Sequence, residues 1–214
     1  MTNIKGAIFD VDGTMLDSMQ IWENVAENYL ISQGAVPQPE LNDELSQIGG
    51  HQIPAYFRAE YGLTQTEEAI HAGIHALLAD FYFNEAPLKA GIIEILEAFQ
   101  NRGIKMCVAT ATDRSLIEPA LQRCGIAKYF GRIFTCAEEQ TSKSRPDIYL
   151  TAAEFLGTEA ADTLVFEDAL YAVKSATQAG FPVVAVYDML AEDHQDEIRA
   201  LGDYYFKSLA DFPL

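Results

Sequence analysis

Apolar positions along the chain fall into two rhythms. Lys5-Gly6-Ala7-Ile8-Phe9-Asp10 is a short apolar run that ends in acids and Gly13, the form of a buried strand followed by a turn. From about Asp17 to about Ala86 the spacing turns helical, and no stretch there reads as a strand. Asp17 and Gln20 have the spacing of a capping box for a helix through Ile21, Val25, Tyr29 and Leu30. Gly34, Pro37, Pro39, Gly49, Gly50 and Gly62 punctuate further helices. Residues 66–83 predict a longer helix with Ile70, Ile74, Leu77, Leu78 and Phe81 on one face. Strand and helix then alternate: helix 91–101, strand 104–110, helix 115–124 closed by Gly125, strand 132–136, helix 146–155 and strand 163–166. Helix 172–179 is stopped by Gly180, and strands follow at 182–187 and 204–206.

Strands separated by helices predict an α/β fold with a doubly wound parallel sheet. The first strand is cut off from its partners by a helical segment too long for a loop, which reads as a small inserted domain. The expected division is a Rossmann-like core of residues 1–15 and 88–214 and a helical domain of residues 16–87. Neither an internal repeat nor a low-complexity segment is visible.

Composition narrows the possibilities. Of 214 residues, 49% are hydrophobic and 21% charged, ordinary values for a globular chain of a size that buries its own core. The three cysteines, Cys107, Cys124 and Cys136, match no metal-ligand spacing; Cys107 lies in an apolar run and reads as a core residue. That usage fits a reducing compartment. The first residues lead straight into an apolar run that stops at an acid, without the form of a signal peptide, and no run approaches the roughly 20 apolar residues of a membrane span. A cytoplasmic protein is expected. Formal net charge is −18, from 32 acids against 14 bases. Such a surface repels nucleic acid and anionic membranes, and a phosphate ester would need a local focus of positive charge.

In open α/β sheets ligands bind beyond the carboxyl ends of the strands. The predicted strands put Asp10 and Asp12 there, then Thr110, Lys143 in a later loop, and Glu167 with Asp168. Singly, each has an ordinary explanation: a turn aspartate, a strand-end threonine, a solvated lysine. Together they are what phosphoryl transfer requires. Carboxylates hold Mg²⁺, a hard cation that prefers oxygen; a lysine neutralises phosphate; a hydroxyl and nearby N–H groups bind its oxygens.

Asp10-Val11-Asp12-Gly13-Thr14 resembles the signature of the haloacid dehalogenase superfamily. Thr110 in Val108-Ala109-Thr110-Ala111-Thr112, Lys143 in Lys143-Ser144-Arg145-Pro146-Asp147, and Phe166-Glu167-Asp168 resemble its other three motifs in order. The helical insertion resembles the subgroup with a helical cap, which includes phosphatases and β-phosphoglucomutase. The resemblance implies Asp10 as nucleophile and metal ligand, and Asp12 as acid/base with its carbonyl on the metal. It implies Thr110, Ala111 and Lys143 around the phosphoryl group, Asp168 as ligand of Mg²⁺, and Glu167 as ligand or orienting group. Two features qualify the likeness. Ser144 stands where the family often has proline, and retention of Asp12 argues against the dehalogenase and phosphonatase branches.

Other signals carry competing readings. His71 and His75 share a helix face without an evident third ligand. Gly50, in Gly49-Gly50-His51, lies where the resemblance puts a substrate-contacting loop, or simply breaks a helix. Trp22 meets the substrate or fills the core of the helical domain. Arg114 clamps a distal anionic group of the substrate, or pairs with Asp113 or Glu118. The expected activity is Mg²⁺-dependent hydrolysis of a small-molecule phosphate ester through an aspartyl-phosphate on Asp10. A β-phosphoglucomutase-like mutase is the alternative, but residues 17–86 hold one base, Arg58, against 11 acids. Trp22 and Gln52 also stand where the mutase resemblance asks for His and Arg. A phospho-accepting signalling module is disfavoured by the second acid two residues from the nucleophile and by the insertion. The sequence leaves oligomeric state unread, with a monomer favoured.

Overall fold

The computed structural model describes residues 4–214; Met1–Asn3, part of the expected core segment, lie outside the described residues. The chain runs β1 (Gly6–Phe9), α1 (Met19–Ser32), α2 (Leu41–Ser46), α3 (Ile53–Tyr61), α4 (Glu67–Asn84), α5 (Ile92–Asn101), β2 (Lys105–Thr110) and α6 (Arg114–Arg123). It continues through β3 (Ile133–Thr135), α7 (Asp147–Leu156), β4 (Thr163–Glu167), α8 (Leu170–Gln178), β5 (Val183–Val186), α9 (Gln195–Leu201) and β6 (Tyr204–Phe206). The strands form one sheet in the order β3-β2-β1-β4-β5-β6, with every neighbouring pair parallel. This is the α/β doubly wound, Rossmann-like architecture that the alternating pattern predicts.

The central strands are apolar along their middles because helices cover both faces. One face sets Ile8, Cys107 and Val165 against Ile148, Ala152 and Val173. The other carries Phe9 stacked on Phe166, with ring centroids 4.3 Å apart at 14°, and Phe99 and Phe212 beside them. Cys107 is a buried core residue, and burial pushes its thiol up to about 12. Among the described residues no helix is long and apolar enough to cross a membrane.

The chain divides into two compact units, Met1–Met19 with Ala86–Leu214, and Gln20–Glu85. The second is helical, with Ala26, Tyr29, Leu30, Leu41, Phe57 and Ile70 as its core. In α4, Thr66 is the cap rather than the first turn: its hydroxyl oxygen accepts from the Ala69 amide at 3.2 Å, and Glu67 and Glu68 follow at the positive end of the helix dipole. The expected apolar face of this helix omits Tyr82, which is fully buried. Where the chain leaves and re-enters the sheet-bearing unit, the two crossings run side by side. Leu16 bridges Leu88, the Asp17 amide donates to the Pro87 carbonyl at 2.9 Å, and the Lys89 amide to the Met15 carbonyl at 2.8 Å.

Two local expectations need correction. α1 begins at Met19, one residue later than a capping box from Asp17 to Gln20 requires, and the Ser18 hydroxyl donates to Asp12 at 2.6 Å. The helix expected from residue 91 starts at Ile92, because Gly91 adopts a left-handed conformation with φ 91°. A Cβ there would lie 2.2 Å from the backbone nitrogen of Ala210. Gly91→Ala therefore combines backbone strain with overlap against fixed backbone. It is expected to lower stability by more than about 1 kcal/mol, read as a reduced denaturation midpoint at unchanged m-value.

Candidate active site

The order of the sheet reverses at β1, which lies between β2 and β4. At such a switch point the loops leaving adjacent strands diverge to opposite faces and open a crevice beyond their carboxyl ends. Register fixes what faces it: Phe9 pairs with Phe166, so the next residues, Asp10 and Glu167, emerge together, and the Asp10 amide donates to the Phe166 carbonyl at 3.0 Å. Asp168 follows directly.

The turn after Asp10 is tight. The amides of Thr14, Met15 and Leu16 all donate to the Val11 carbonyl, at 3.3, 2.9 and 2.8 Å. Gly13 sits in it at φ 78°, and a Cβ would come within 2.3 Å of Asp168 Oδ2, so only glycine lets the turn and this carboxylate approach. The Thr14 hydroxyl donates to the other oxygen of Asp168 at 3.1 Å. Asp12 is held at both oxygens, Oδ1 accepting from Ser18 at 2.6 Å and Oδ2 from Thr112 at 2.7 Å. Thr110, buried at the end of β2, accepts from the Thr112 amide at 3.1 Å, and Ala111 lies exposed between the two threonines. Asp10 and Asp12 therefore share this rim with Thr110.

Lys143 completes the cluster. It is 3% exposed, far from the solvated state usual for lysine. Its Nζ donates to Asp10 Oδ1 and, at 2.6 Å, to Glu167 Oε1. Asp10, Glu167 and Asp168 present carboxylate oxygens within 4.8 Å of one another, all three residues buried. Glu167 Oε2 is buried without a hydrogen-bond partner among the described residues. Crowded carboxylates and one bare buried oxygen are a donor set suited to a hard divalent cation.

The electrostatics follow from burial. Desolvation lowers the Lys143 pKa, but the Asp10 and Glu167 charges outweigh it and keep the ammonium protonated. Desolvation pushes the Asp168 carboxyl up to about 7, with the Glu167 charge adding to it and Lys143 opposing. Burial also raises the Asp10 pKa, Lys143 opposing and the neighbouring acids reinforcing.

Of the other expected site residues, two belong to the helical unit and one to the sheet-bearing unit. Trp22 and Gly50 belong to the helical unit, where the Trp22 indole N–H donates to the Tyr82 hydroxyl at 2.9 Å and Gly50 opens a single 3₁₀ turn. Arg114 grips Glu138 through two nitrogens at 2.6 and 2.7 Å and the Ile133 carbonyl at 2.7 Å; Glu118 is 3.9 Å away. This bidentate pair engages Nε and Nη2 and leaves Nη1 facing Glu118.

Two features went unread in the sequence. Half-buried Lys89 donates to the Tyr187 carbonyl at 2.8 Å and to buried Asp188 at 3.0 Å, just beyond β5. Asp188 stands two residues beyond β5, on the same rim as Asp10, and that position was the available signal. The other is Tyr149, whose hydroxyl donates to Glu167 Oε1 at 2.7 Å. It passes for an ordinary apolar position of α7.

Comparison with known proteins agrees with this geometry. Protein CbbY of Rhodobacter capsulatus is 28% identical over 193 residues, 85% of this chain and 84% of that protein. The fructose-1-phosphate phosphatase YqaB of Escherichia coli is 26% identical over 185 residues, 85% of this chain and 95% of that protein. The crystal structure of CbbY from Rhodobacter sphaeroides in complex with phosphate superposes with a TM-score of 0.77 at 22% identity, covering 97% of this chain and 96% of that one. A family model described as haloacid dehalogenase-like hydrolase matches residues 7–186. Because that match covers most of the chain, from β1 past both acids at the end of β4, the chain belongs to the haloacid dehalogenase-like hydrolase family.

Proposed function

We propose that this enzyme is a Mg²⁺-dependent phosphatase that hydrolyses a small organic phosphate monoester through an aspartyl-phosphate on Asp10. The observation that carries this reading is the buried Lys143 ammonium held between Asp10 and Glu167, beside Asp168, in a protein whose net charge is −18. It is the cationic focus that an acidic protein needs at a phosphate site. The phosphatase named among the relatives supports the same class of reaction. Unpaired cysteines fit the reducing cytoplasm as its place of work.

In this reading Asp10, Glu167, Asp168 and the Asp12 carbonyl hold Mg²⁺. When bound, the ion offsets charge on the phosphoryl oxygens and on the crowded carboxylates. A carboxylate oxygen of Asp10 attacks phosphorus, and the bond from phosphorus to the ester oxygen breaks. Asp12, fixed by Ser18 and Thr112, gives its proton to the leaving alkoxide. It then takes a proton from the water that attacks the aspartyl-phosphate, so that inorganic phosphate leaves and Asp10 is regenerated. Lys143 and the Thr110 hydroxyl, with the amides after Thr110, bind the transferring group's oxygens. Trp22 and Gly50 are assigned to leaving-group recognition on the resemblance alone.

A mutase must grip a second phosphate, and the bases at hand are already engaged. Arg58 faces Glu67 at 3.7 Å, and Arg114 is held by Glu138. Hydrolysis is therefore favoured over phosphoryl shuffling. A screen of sugar phosphates, nucleotides and small acid phosphates with Mg²⁺ tests this directly. Release of inorganic phosphate is expected, lost on exhaustive chelation and in Asp10→Asn, and β-glucose 1-phosphate should give no glucose 6-phosphate even with a bisphosphate primer. Full activity after chelation or in that variant would end the assignment.

Lys143→Ala is expected to cost about 3–4 kcal/mol of transition-state stabilisation, the scale of losing a preorganised oxyanion donor, measured as kcat/KM. Mg²⁺ affinity should depend on pH. Asp168, with its folded pKa raised to about 7, must lose a proton to become a ligand, so binding weakens as pH falls below that value, by up to about tenfold per unit. The sign reverses for the metal-free fold. A carboxyl that keeps its proton better folded than unfolded adds stability at low pH, lost as pH rises from about 4 to about 7. Titration calorimetry and melting curves between pH 5 and 8 would reveal both trends.

A further inference from the structure

The two oxygens of the Glu167 carboxylate live in different surroundings. Oε1 accepts from Lys143 Nζ at 2.6 Å and from the Tyr149 hydroxyl at 2.7 Å. Oε2 is buried and has no hydrogen-bond partner among the described residues. Terminal carboxylate torsions are soft, so which oxygen faces which neighbour is set by hydrogen bonds rather than by the rotamer. The two oxygens of a carboxylate are equivalent, so a half-turn restores the same arrangement; any smaller rotation takes the accepting oxygen away from both donors at once, and the two donors together oppose that.

Tyr149 is built to hold its place. It lies in the first turn of α7 and is fully buried, its ring tilted against Phe181 with centroids 6.2 Å apart. An un-ionised tyrosine hydroxyl facing a carboxylate oxygen at hydrogen-bond distance acts as the donor. Lys143 lies in the loop before α7 and Tyr149 in its first turn, six residues on, so one short segment sets both donors on the same oxygen.

We propose that Tyr149 is a positioning residue of the active site: its hydroxyl, alongside Lys143, fixes Glu167 so that Oε2 is the oxygen offered to the divalent cation and Lys143 stays between Asp10 and Glu167. This inference rests on the Mg²⁺-dependent reading above. It reaches beyond the four motifs, in which Tyr149 has no part.

The test compares Tyr149→Phe, which removes only the hydroxyl, with Phe181→Leu, which disturbs the packing of the ring and leaves the hydroxyl in place. For each, Mg²⁺ binding is measured by calorimetry on the full chain, melting temperature without metal, and kcat and KM for an aryl phosphate across a range of Mg²⁺. Tyr149→Phe should melt near the wild type yet bind Mg²⁺ about tenfold or more weakly, the usual scale for losing a hydrogen bond to a metal-ligating carboxylate. Its kcat should fall at low Mg²⁺ and recover in part as Mg²⁺ is raised. Phe181→Leu should melt lower with Mg²⁺ affinity unchanged. Wild-type Mg²⁺ affinity and turnover in Tyr149→Phe would overturn the proposal, as would losses of affinity in both variants that simply follow melting temperature. A wild-type protein that neither binds Mg²⁺ nor hydrolyses the ester would instead overturn the reading on which it rests.

Discussion

Lys143 brings a single ammonium into a space bounded by Asp10, Glu167 and Asp168, all buried. Carboxylates stripped of water repel one another strongly, and a sheet that collects them at one rim would be driven apart or protonated without compensation. The lysine supplies part of that compensation, and the remaining excess of negative charge is what a divalent cation would meet. The sheet depends on this arrangement as much as it creates it. β1 and β4 can lie side by side, with Phe9 on Phe166, only if the acids that follow them tolerate each other. Gly13 and Thr14 then fit around Asp168, and α7 brings Tyr149 to Glu167.

Much of this was legible in the sequence because it is local. A strand buried on both faces is a run of apolar residues, and a group that must stand at its end follows that run directly, as Asp10, Thr110 and Glu167 do. The alternation of strand and helix fixed the parallel sheet for the same reason. α4 was visible through its periodicity. What stayed hidden depends on contacts far apart in sequence. α9 buries only Ile198 fully, so its polar stretch carries no periodic signal. Tyr149 looks like any core aromatic until the fold puts Glu167 against its hydroxyl. Lys89 and Asp188 are 99 residues apart in sequence and become a pair only when the segment before α5 packs beside the end of β5. Arg114 was read as a clamp on the substrate or as the partner of Asp113 or Glu118; its main partner, Glu138 in the turn beyond β3, is 24 residues away and invisible to local spacing.

The same contrast separates site charge from surface charge. Most acids of this chain are solvated, and their mutual repulsion is screened within about 8 Å at physiological salt. The few at the sheet's rim are not. A net charge of −18 therefore says little about what the crevice attracts, since buried charges are screened least and dominate the local field.

The paired crossings bear on how such a protein can change over evolutionary time. Asp17 and Pro87 meet at hydrogen-bond distance, and Leu16 and Leu88 bridge like neighbours in a hairpin. To the sheet-bearing unit, everything between them is a loop whose ends are already closed. The entropy of closing a loop grows only slowly with its length, so a segment at this point can lengthen, shorten or be exchanged at small cost to the rest. Chemistry at the strand ends and the segment carried on that closed loop are thus free to diverge at different rates. One core can serve a succession of substrates without being rebuilt.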